Sequence, residues 1–168
     1  MKAGVNLHEA LEEIRQWVGN RNATSYTKEG CRVSMANIPS DRVVLDVDLA
    51  FPTDRANTNQ CDFILFYVDT ARSSLIAVPM ELKQGGVDAS EAIAQLQEGA
   101  RIVDRYIPND VDMNLILVLV HGGSMHRSQR NRLRTSRIRF RGAEFPINTT
   151  RCGHTGNLAQ ALVKSSKR

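Results

Sequence analysis

Apolar residues recur along the chain with two different periods, one typical of helices and one typical of strands. Leu7–Val18 places its apolar side chains on one helical face, which predicts an amphipathic helix. Residues 62–68 and 75–83 are rich in β-branched, aromatic and aliphatic side chains, and the segment between them, Asp-Thr-Ala-Arg-Ser-Ser, is typical of a turn. These two runs predict a β-hairpin.

The pattern before the hairpin predicts further strands. Residues 20–30 are polar and indicate a loop, whereas residues 31–38 and 42–51 indicate two strands that extend the sheet. In the second of these, alternation places Asp46 and Asp48 on one face. We interpret these two residues as an acidic edge, with an additional set of metal ligands as the alternative.

After the hairpin, the pattern predicts a helix, a strand and a closing helix. Asp88 and Glu91 form a capping box for a helix that runs to about Ile107. Residues 114–121 are almost continuously apolar, as expected of an interior strand covered on both faces. Helical spacing returns at Asn157. The whole pattern predicts one α/β domain over residues 1–168, with a mixed β-sheet flanked by helices.

Charged residues interrupt the hairpin at three positions. If the hairpin is symmetric about its turn, Val68 pairs with Leu75, and Asp62 then falls opposite Glu81 with about 5 Å between their Cβ atoms. Two carboxylates at this distance repel each other unless a cation lies between them, and hard oxygen ligands suit Mg²⁺ or Mn²⁺. Lys83 falls on the same face as Glu81. The pattern therefore predicts a metal site.

These residues resemble the signature of the PD-(D/E)XK phosphodiesterase superfamily. Asp62 is followed, after a spacer of eighteen residues, by Glu81-Leu82-Lys83, although Cys61 stands where the family often has proline. The next predicted helix carries Ala92-x-x-Gln95-Leu96, which is similar to the glutamine motif of the resolvase-like and RecB-like branches. The resemblance covers roughly residues 7–121 and implies a restriction-endonuclease-like core.

The resemblance also implies roles for individual residues. Asp62 and Glu81 would hold Mg²⁺ (or Mn²⁺), and the backbone carbonyl of Leu82 would add a ligand. Lys83 would position or deprotonate the attacking water. Gln95, at the border of its helix's apolar face, would join the catalytic group, with a purely backbone-capping role as the alternative.

The family often supplies a further carboxylate from its first helix. Glu13 lies beside the apolar stripe of that helix and is the first candidate for this metal ligand. Glu9 is the second candidate, and a solvated position is the alternative for both. His121, at a strand end, is either a contact to the scissile phosphate or, as a lone histidine more often is, structural.

The three cysteines show no pattern that predicts a disulfide or a zinc site. Their number is odd and no CxxC spacing occurs, so we expect Cys31, Cys61 and Cys152 to be reduced thiols. Cys152-Gly153-His154 as a soft-metal site is the weaker alternative. The apolar runs are far shorter than a membrane span, and the N-terminus lacks a signal-like segment. These features favour a soluble cytoplasmic protein.

Positive charge is concentrated in one segment near the C-terminus. Seven arginines and no acidic residues lie between positions 127 and 141, and without them the chain has 15 basic residues against 18 acidic ones. We define the arginine strip as Arg127, Arg130, Arg132, Arg134, Arg137, Arg139 and Arg141. Guanidinium groups bind phosphates through bidentate hydrogen bonds, so the strip predicts DNA binding. A solvated face and an acidic protein partner are the alternatives.

Together the motif and the strip predict a Mg²⁺-dependent deoxyribonuclease. The family resemblance suggests a role in DNA repair or in defence against foreign DNA. A domain of this size leaves little room for a recognition module, which favours nonspecific or structure-directed cutting, a homodimer, or a targeting protein partner. The alternatives are a catalytically inactive nucleic-acid-binding module and a regulatory protein that binds an acidic partner.

Overall fold

A computed structural model describes residues 6–18, 23–51 and 60–166, with side chains placed up to residue 163. The described ranges form five helices and nine strands. The helices are α1 (Leu7–Val18), α2 (Val47–Ala50), α3 (Ala89–Tyr106), α4 (Arg127–Thr135) and α5 (Asn157–Ser166). The strands are β1 (Ser25–Lys28), β2 (Cys31–Ser34), β3 (Arg42–Asp46), β4 (Phe63–Asp69), β5 (Ser74–Lys83), β6 (Met113–Leu115), β7 (Leu117–His121), β8 (Arg137–Phe140) and β9 (Ala143–Arg151).

Seven of these strands form one mixed sheet, which confirms the predicted α/β class. The order across the sheet is β3-β4-β5-β7-β9-β8, and β6 also pairs with β5. Strands β5, β7 and β9 run parallel, whereas β3, β4 and β8 are antiparallel to their neighbours. One apolar layer packs the sheet against α1, α3 and α4, and a second packs it against α5 and the β1–β2 hairpin.

The central hairpin has the predicted register. Val68 pairs with Leu75, and the ladder continues to Phe63 opposite Met80. Asp62 lies one residue before the strand, and its amide still donates to the Met80 carbonyl at 3.0 Å. The hairpin therefore brings Asp62 to the level of Glu81, as the symmetric turn predicts.

Helix α3 follows the prediction at both ends and packs closely on β5. The Asp88 carboxylate caps its first turn by accepting from the Glu91 amide, and the helix ends at Tyr106, before Pro108. Gly99 permits the close packing, because a Cβ atom there would lie 2.8 Å from the Cys61 sulfur. This packing sets α3 directly over the strand that carries Glu81 and Lys83.

The prediction of a single strand over residues 114–121 is wrong in detail. Two strands, β6 and β7, lie beside β5 and are separated at Ile116. The interruption falls beside Pro79 in β5, a residue that has no amide hydrogen to donate to a ladder. Strand β7 is nevertheless interior, between β5 and β9, as predicted.

Three further predictions before the hairpin are corrected. Strand β1 lies within the segment predicted to be a loop, and it pairs with β2 in a separate two-stranded sheet. Strand β2 therefore does not extend the main sheet. Strand β3 ends at Asp46, which accepts from the Leu49 amide at 3.3 Å and caps α2. The short polar side chain of Asp46 competes with the ladder for backbone amides and ends the strand.

In the C-terminal third, the closing helix from Asn157 is confirmed, whereas α4 and β9 were not predicted. The arginine-rich composition of α4 leaves Leu133 as its one fully buried side chain, which gives too weak an apolar period. Strand β9 contains Pro146, which pairs with Arg137 of the edge strand β8.

The expectation of three reduced cysteines is wrong for two of them. Cys31 and Cys152 form a disulfide that joins β2 to the turn after β9, while Cys61 is free and buried. The disulfide also excludes the soft-metal alternative at Cys152. A sequence separation of 121 residues carries no local signal of this pairing. Within the described ranges, no helix is both long and apolar enough to cross a membrane.

Candidate active site

Asp62 is held at the open end of the β4–β5 hairpin by backbone contacts. One carboxylate oxygen, Oδ2, accepts from the Leu82 amide at 2.9 Å, and the Asp62 carbonyl accepts from the Val47 amide at 3.1 Å. The side chain thus occupies the place where the next ladder bond of the hairpin would otherwise form. Its position is fixed by the sheet itself, which suits a ligand or catalytic group.

Glu81 is the most deeply buried carboxyl group of the site, with 2% of the residue exposed. Burial, the charge of Asp62 and a hydrogen bond to Asp62 raise the pKa of Glu81 to about 9. Burial also raises the pKa of Asp62, although the hydrogen bond from Glu81 opposes that increase. At neutral pH, therefore, the Glu81 carboxyl group keeps its proton and donates it in a hydrogen bond to the Asp62 carboxylate.

One oxygen of Glu81 has no partner. Its Oε1 atom is fully buried and accepts no hydrogen bond. Leaving a buried polar atom unpaired costs about 1–3 kcal/mol, so each such atom calls for an explanation, such as a catalytic role or a bound water or ion. A cation between the two carboxyl groups would satisfy this oxygen.

Lys83 lies between two acids. Its Nζ atom is 3.7 Å from Glu81 Oε2 and 3.0 Å from Glu91 Oε1. Burial lowers the pKa of Lys83, but the hydrogen bond to Glu91 and the charges of Glu81 and Glu91 outweigh it and raise the pKa above its usual value. Lys83 is therefore an ammonium group, able to donate hydrogen bonds but not to accept a proton.

Glu91 is the site residue that the sequence analysis missed. The sequence identified it only as part of a capping box, and its backbone amide does have that function. Its side chain instead reaches Lys83 on the sheet. Its position four residues before Gln95, on the same helical face, is the one signal that would have identified it.

Gln95 resembles Glu81 in one respect. Its Oε1 atom is fully buried and has no hydrogen-bond partner. The residue lies one turn after Glu91 on α3, whose first turn contacts Lys83 beside Asp62 and Glu81, which we call the acidic pair. This arrangement leaves a second unsatisfied acceptor on the helix that covers the site.

Glu13 is not brought to the acidic pair. It lines a separate cavity with Glu9, Trp17, Pro108 and Asp110, at and beyond the C-terminal end of α3. The acidic pair lies instead near the N-terminal end of α3, where Glu91 contacts Lys83. An 18-residue helix is about 27 Å long, so the two places lie far apart. The helical period gave the face of Glu13 correctly but contained no information about which end of the sheet α1 would cover.

Asp46 and Asp48 flank the site without joining it. Asp46 caps α2, and Asp48 forms an ion pair with Lys28 at 2.9 Å. Because Asp48 lies in a helix, the alternation that placed both residues on one strand face does not apply. The charge of Asp48 raises the pKa of Asp62 and that of Lys28 lowers it, so both lie within electrostatic reach.

The arginine strip runs along α3 from its first turn to its last. The Gln129 side chain of α4 accepts from the Ala89 amide at 2.7 Å, in the first turn of α3, which also carries Glu91. Gln97 then bonds both the amide and the carbonyl of Arg139 in β8. At the far end Arg141 contacts Asp104. The strip therefore begins beside the candidate active site.

Some arginines of the arginine strip form ion pairs with acidic residues, and others do not. Arg141 pairs with Asp104 at 2.8 Å, and Arg139 lies 3.8 Å from Glu144, so acids outside the segment relieve part of the expected repulsion. In contrast, the four arginines of α4 form no ion pair with any residue that the structure describes: Arg127, Arg130, Arg132 and Arg134. The unbalanced charge is concentrated on α4.

The oxygen atoms of Asp62 and Glu81 suit a hard divalent cation that takes only a few of its ligands from the protein. Among the described residues, no group of three or more histidine, cysteine, aspartate or glutamate side chains is arranged to hold a metal. Mg²⁺ is usually held by one or two carboxylates together with water and substrate phosphates. The carboxyl groups of Asp62 and Glu81 meet that requirement, and the Oε1 atom of Glu81 has no other partner. No protein-family model matches the chain, and comparison with curated proteins and with solved structures found no match either.

Proposed function

We propose that this protein is a Mg²⁺-dependent deoxyribonuclease built on a restriction-endonuclease-like core. The observation that carries the proposal is the buried Asp62–Glu81 pair, which has one unpartnered carboxyl oxygen and the Lys83 ammonium 3.7 Å away. Such a pair is unfavourable for stability alone, because both carboxyl groups are desolvated and one oxygen of Glu81 is left without a hydrogen bond. The presence of this pair at the open end of the hairpin therefore favours a functional role for it.

The topology around the pair supports the finer fold assignment. A β-hairpin carries Asp62 and the Glu81-Leu82-Lys83 segment, α3 crosses over it, and β7 returns parallel to β5. This is the arrangement that the resemblance to the PD-(D/E)XK superfamily implies.

Asp62 and Glu81 would hold Mg²⁺ (or Mn²⁺), with the Leu82 carbonyl as a further ligand. When bound, the ion supplies positive charge that neutralises the phosphate in the transition state and lowers the pKa of water. Asp62 is already oriented by the Leu82 amide. Glu81 must release its proton to become a ligand, which links metal affinity to pH.

Lys83 would orient the attacking water and stabilise negative charge on the phosphate. As an ammonium group it donates hydrogen bonds, so positioning rather than proton abstraction is its role in this proposal. Glu91 fixes the direction of Lys83 through the 3.0 Å contact. Gln95 is placed on the same helical face to bind a water or a substrate donor through its free oxygen.

The arginines of α4 would bind the DNA backbone beside this site. Arg127, Arg130 and Arg134 lie on one face of α4 and are exposed to solvent. Phosphate contacts position the strand without reading its bases, which matches the proposal of nonspecific or structure-directed cutting.

The test is incubation of the purified protein with supercoiled, linear, branched and single-stranded DNA, and with RNA, in Mg²⁺, Mn²⁺ or EDTA. The expected result is cleavage of at least one DNA form that requires the metal and disappears in the Asp62→Asn variant. Binding without cleavage in every metal would contradict the proposal and leave a catalytically inactive nucleic-acid-binding module.

A further inference from the structure

A second polar groove lies beside the candidate active site, at the C-terminal ends of β7 and β9. It has a volume of about 560 Å³, and its walls include His121, Arg151, His154, Thr155 and Gln160. None of the residues that line it is acidic and none is a large apolar residue. A groove with arginine, histidine and hydroxyl donors but no carboxylate suits an anion.

The parallel strands connect this groove to Lys83. Lys83 pairs with His121 across β5 and β7, and His121 pairs with Arg151 across β7 and β9. Three basic residues thus end three adjacent strands in register. Two strand spacings separate Lys83 from Arg151, which is about 10 Å.

The backbone between β7 and α4 closely surrounds Arg151. The Arg151 Nη2 atom donates to the Gly122 carbonyl at 3.4 Å. Gly123 has a φ of +97°, and a Cβ atom there would lie 2.2 Å from the guanidinium group. The Gly123 amide also donates to His121 Nδ1 at 3.0 Å, which assigns the ring proton to Nε2. Both basic groups are therefore oriented by the same turn.

The turn after β9, which carries His154, is also held in place. Asn157, which is buried, donates to the carbonyls of Arg151 and Arg32 at 2.9 and 3.0 Å. Its side-chain oxygen accepts from the Ser34 amide at 2.8 Å. The Cys31–Cys152 disulfide ties down the same turn, which carries His154. The groove is thus preorganised, which favours binding because little ordering remains to be done.

We infer that this groove is a phosphate subsite, which binds a backbone phosphate that flanks the one positioned by Lys83. The inference rests on the proposed nuclease function, since a strand bound at the acidic pair would continue across β7 and β9. Arg151 provides the permanent charge, and His121 and His154 provide further donors. A 5′-terminal phosphate has the same chemistry and is the other source to be distinguished.

The test measures binding of labelled 20-nucleotide oligo(dT), with or without a 5′-phosphate, by fluorescence anisotropy at several salt concentrations and without divalent metal. We expect Arg151→Gln to bind about tenfold more weakly. We also expect it to flatten the slope of log affinity against log salt by about 0.7, the value for one single-strand contact. Arg151→Lys should keep most of the slope. Arg72→Gln, at the opposite end of the hairpin, removes an equal charge and should bind like the wild type.

If Arg151→Gln binds both probes more weakly than the wild type does, the bound group is an internal phosphodiester. If it binds only the phosphorylated probe more weakly, the bound group is a terminal phosphate. His154→Gln, at an exposed position, should weaken binding in the same assay and guards against a folding defect in Arg151→Gln. Wild-type affinity and slope in both variants would overturn the subsite. This assay measures binding and does not need cleavage. If the wild type never cuts DNA but Arg151→Gln binds it more weakly, the nuclease proposal is contradicted and the phosphate subsite is supported.

Discussion

The carboxyl group of Glu81 is hydrogen-bonded to that of Asp62, and one of its oxygens is buried without a partner. Burial and the charge of Asp62 raise the pKa of Glu81 to about 9. A proton thus links the two carboxyl groups that a bound cation would link instead, so we expect proton and metal to compete for this pair. This relationship leads to two predictions about pH.

Metal affinity should increase with pH. Between about pH 6 and pH 9 the binding of one Mg²⁺ or Mn²⁺ displaces the Glu81 proton, so affinity should rise about tenfold per pH unit. Mn²⁺ titrations followed by electron paramagnetic resonance at pH 6, 7 and 8 measure this slope. The Glu98→Gln variant, changed at an acid of α3 that pairs with Arg101, should show the wild-type slope. A constant affinity would mean that Glu81 does not bind the metal.

The stability of the metal-free protein should decrease as pH rises. The folded pKa of Glu81 lies above its usual value of 4.5, so the unfolded chain ionises first and stability is lost between about pH 4.5 and pH 9. Glu81→Gln removes this titration and keeps a hydrogen-bond donor toward Asp62. Urea unfolding in EDTA at pH 5.5 and pH 8.5 should show a smaller decrease in the free energy of unfolding for the variant. Equal decreases would contradict the assigned protonation.

Glu91 should position Lys83. Glu91→Gln removes one of the three acids that raise the pKa of Lys83, so that pKa should fall and the alkaline limb of the cleavage pH profile should move to lower pH. Stability should change little, because Asp88 still caps α3. Lys83→Ala should reduce kcat by roughly 10²–10³, the cost of losing one donor that stabilises charge on the phosphate. An unchanged pH profile in Glu91→Gln, despite lower activity, would indicate a merely structural role.

The unpaired arginines of α4 should contribute most to DNA binding. Neutralising Arg127, Arg130 and Arg134 together should lower the salt slope on duplex DNA by about 2.7, or 0.9 for each phosphate contact. The matched variant at Arg139 and Arg141 should lower it by less per residue, because these two side chains face acids. An equal or larger effect per residue in the matched variant would show that α4 is not the main contact. An unchanged slope in both would favour an acidic protein as the partner of the strip.

The cysteines provide a test of the fold that is independent of function. Alkylation of the denatured, unreduced protein should modify one thiol, Cys61, and alkylation after reduction should modify three. Replacing Cys31 and Cys152 by serine should lower the free energy of unfolding by about 4 kcal/mol, because the disulfide closes a loop of more than a hundred residues. Three reactive thiols without reduction would contradict the structure.

The parts of the fold that depend on local periodicity were predictable from the sequence. The hairpin register follows from the symmetry of its turn, and it places Asp62, Glu81 and Lys83 together. The helix α3 follows from its apolar period and the Asp88 cap. For both elements, the residues that determine the structure lie within about twenty positions of one another in the sequence.

Long-range relations were not predictable in the same way. The Cys31–Cys152 disulfide and the placement of α1 depend on packing between distant segments. The Glu91 side chain contacts Lys83 on the sheet, and its helical spacing from Gln95 was the one local signal of that contact. The strand that ends at Asp46 shows how one capping side chain overrides an alternating pattern.

We propose that Asp62 and Glu81 form the metal site of a nuclease. The most direct test of this proposal is single-turnover cleavage of one DNA substrate at saturating protein and Mg²⁺ by the wild type and Glu81→Gln, with DNA affinity measured in parallel. We predict metal-dependent cleavage by the wild type and a loss of at least a hundredfold in the variant, with DNA affinity unchanged within about twofold. Cleavage by Glu81→Gln at the wild-type rate would contradict the account.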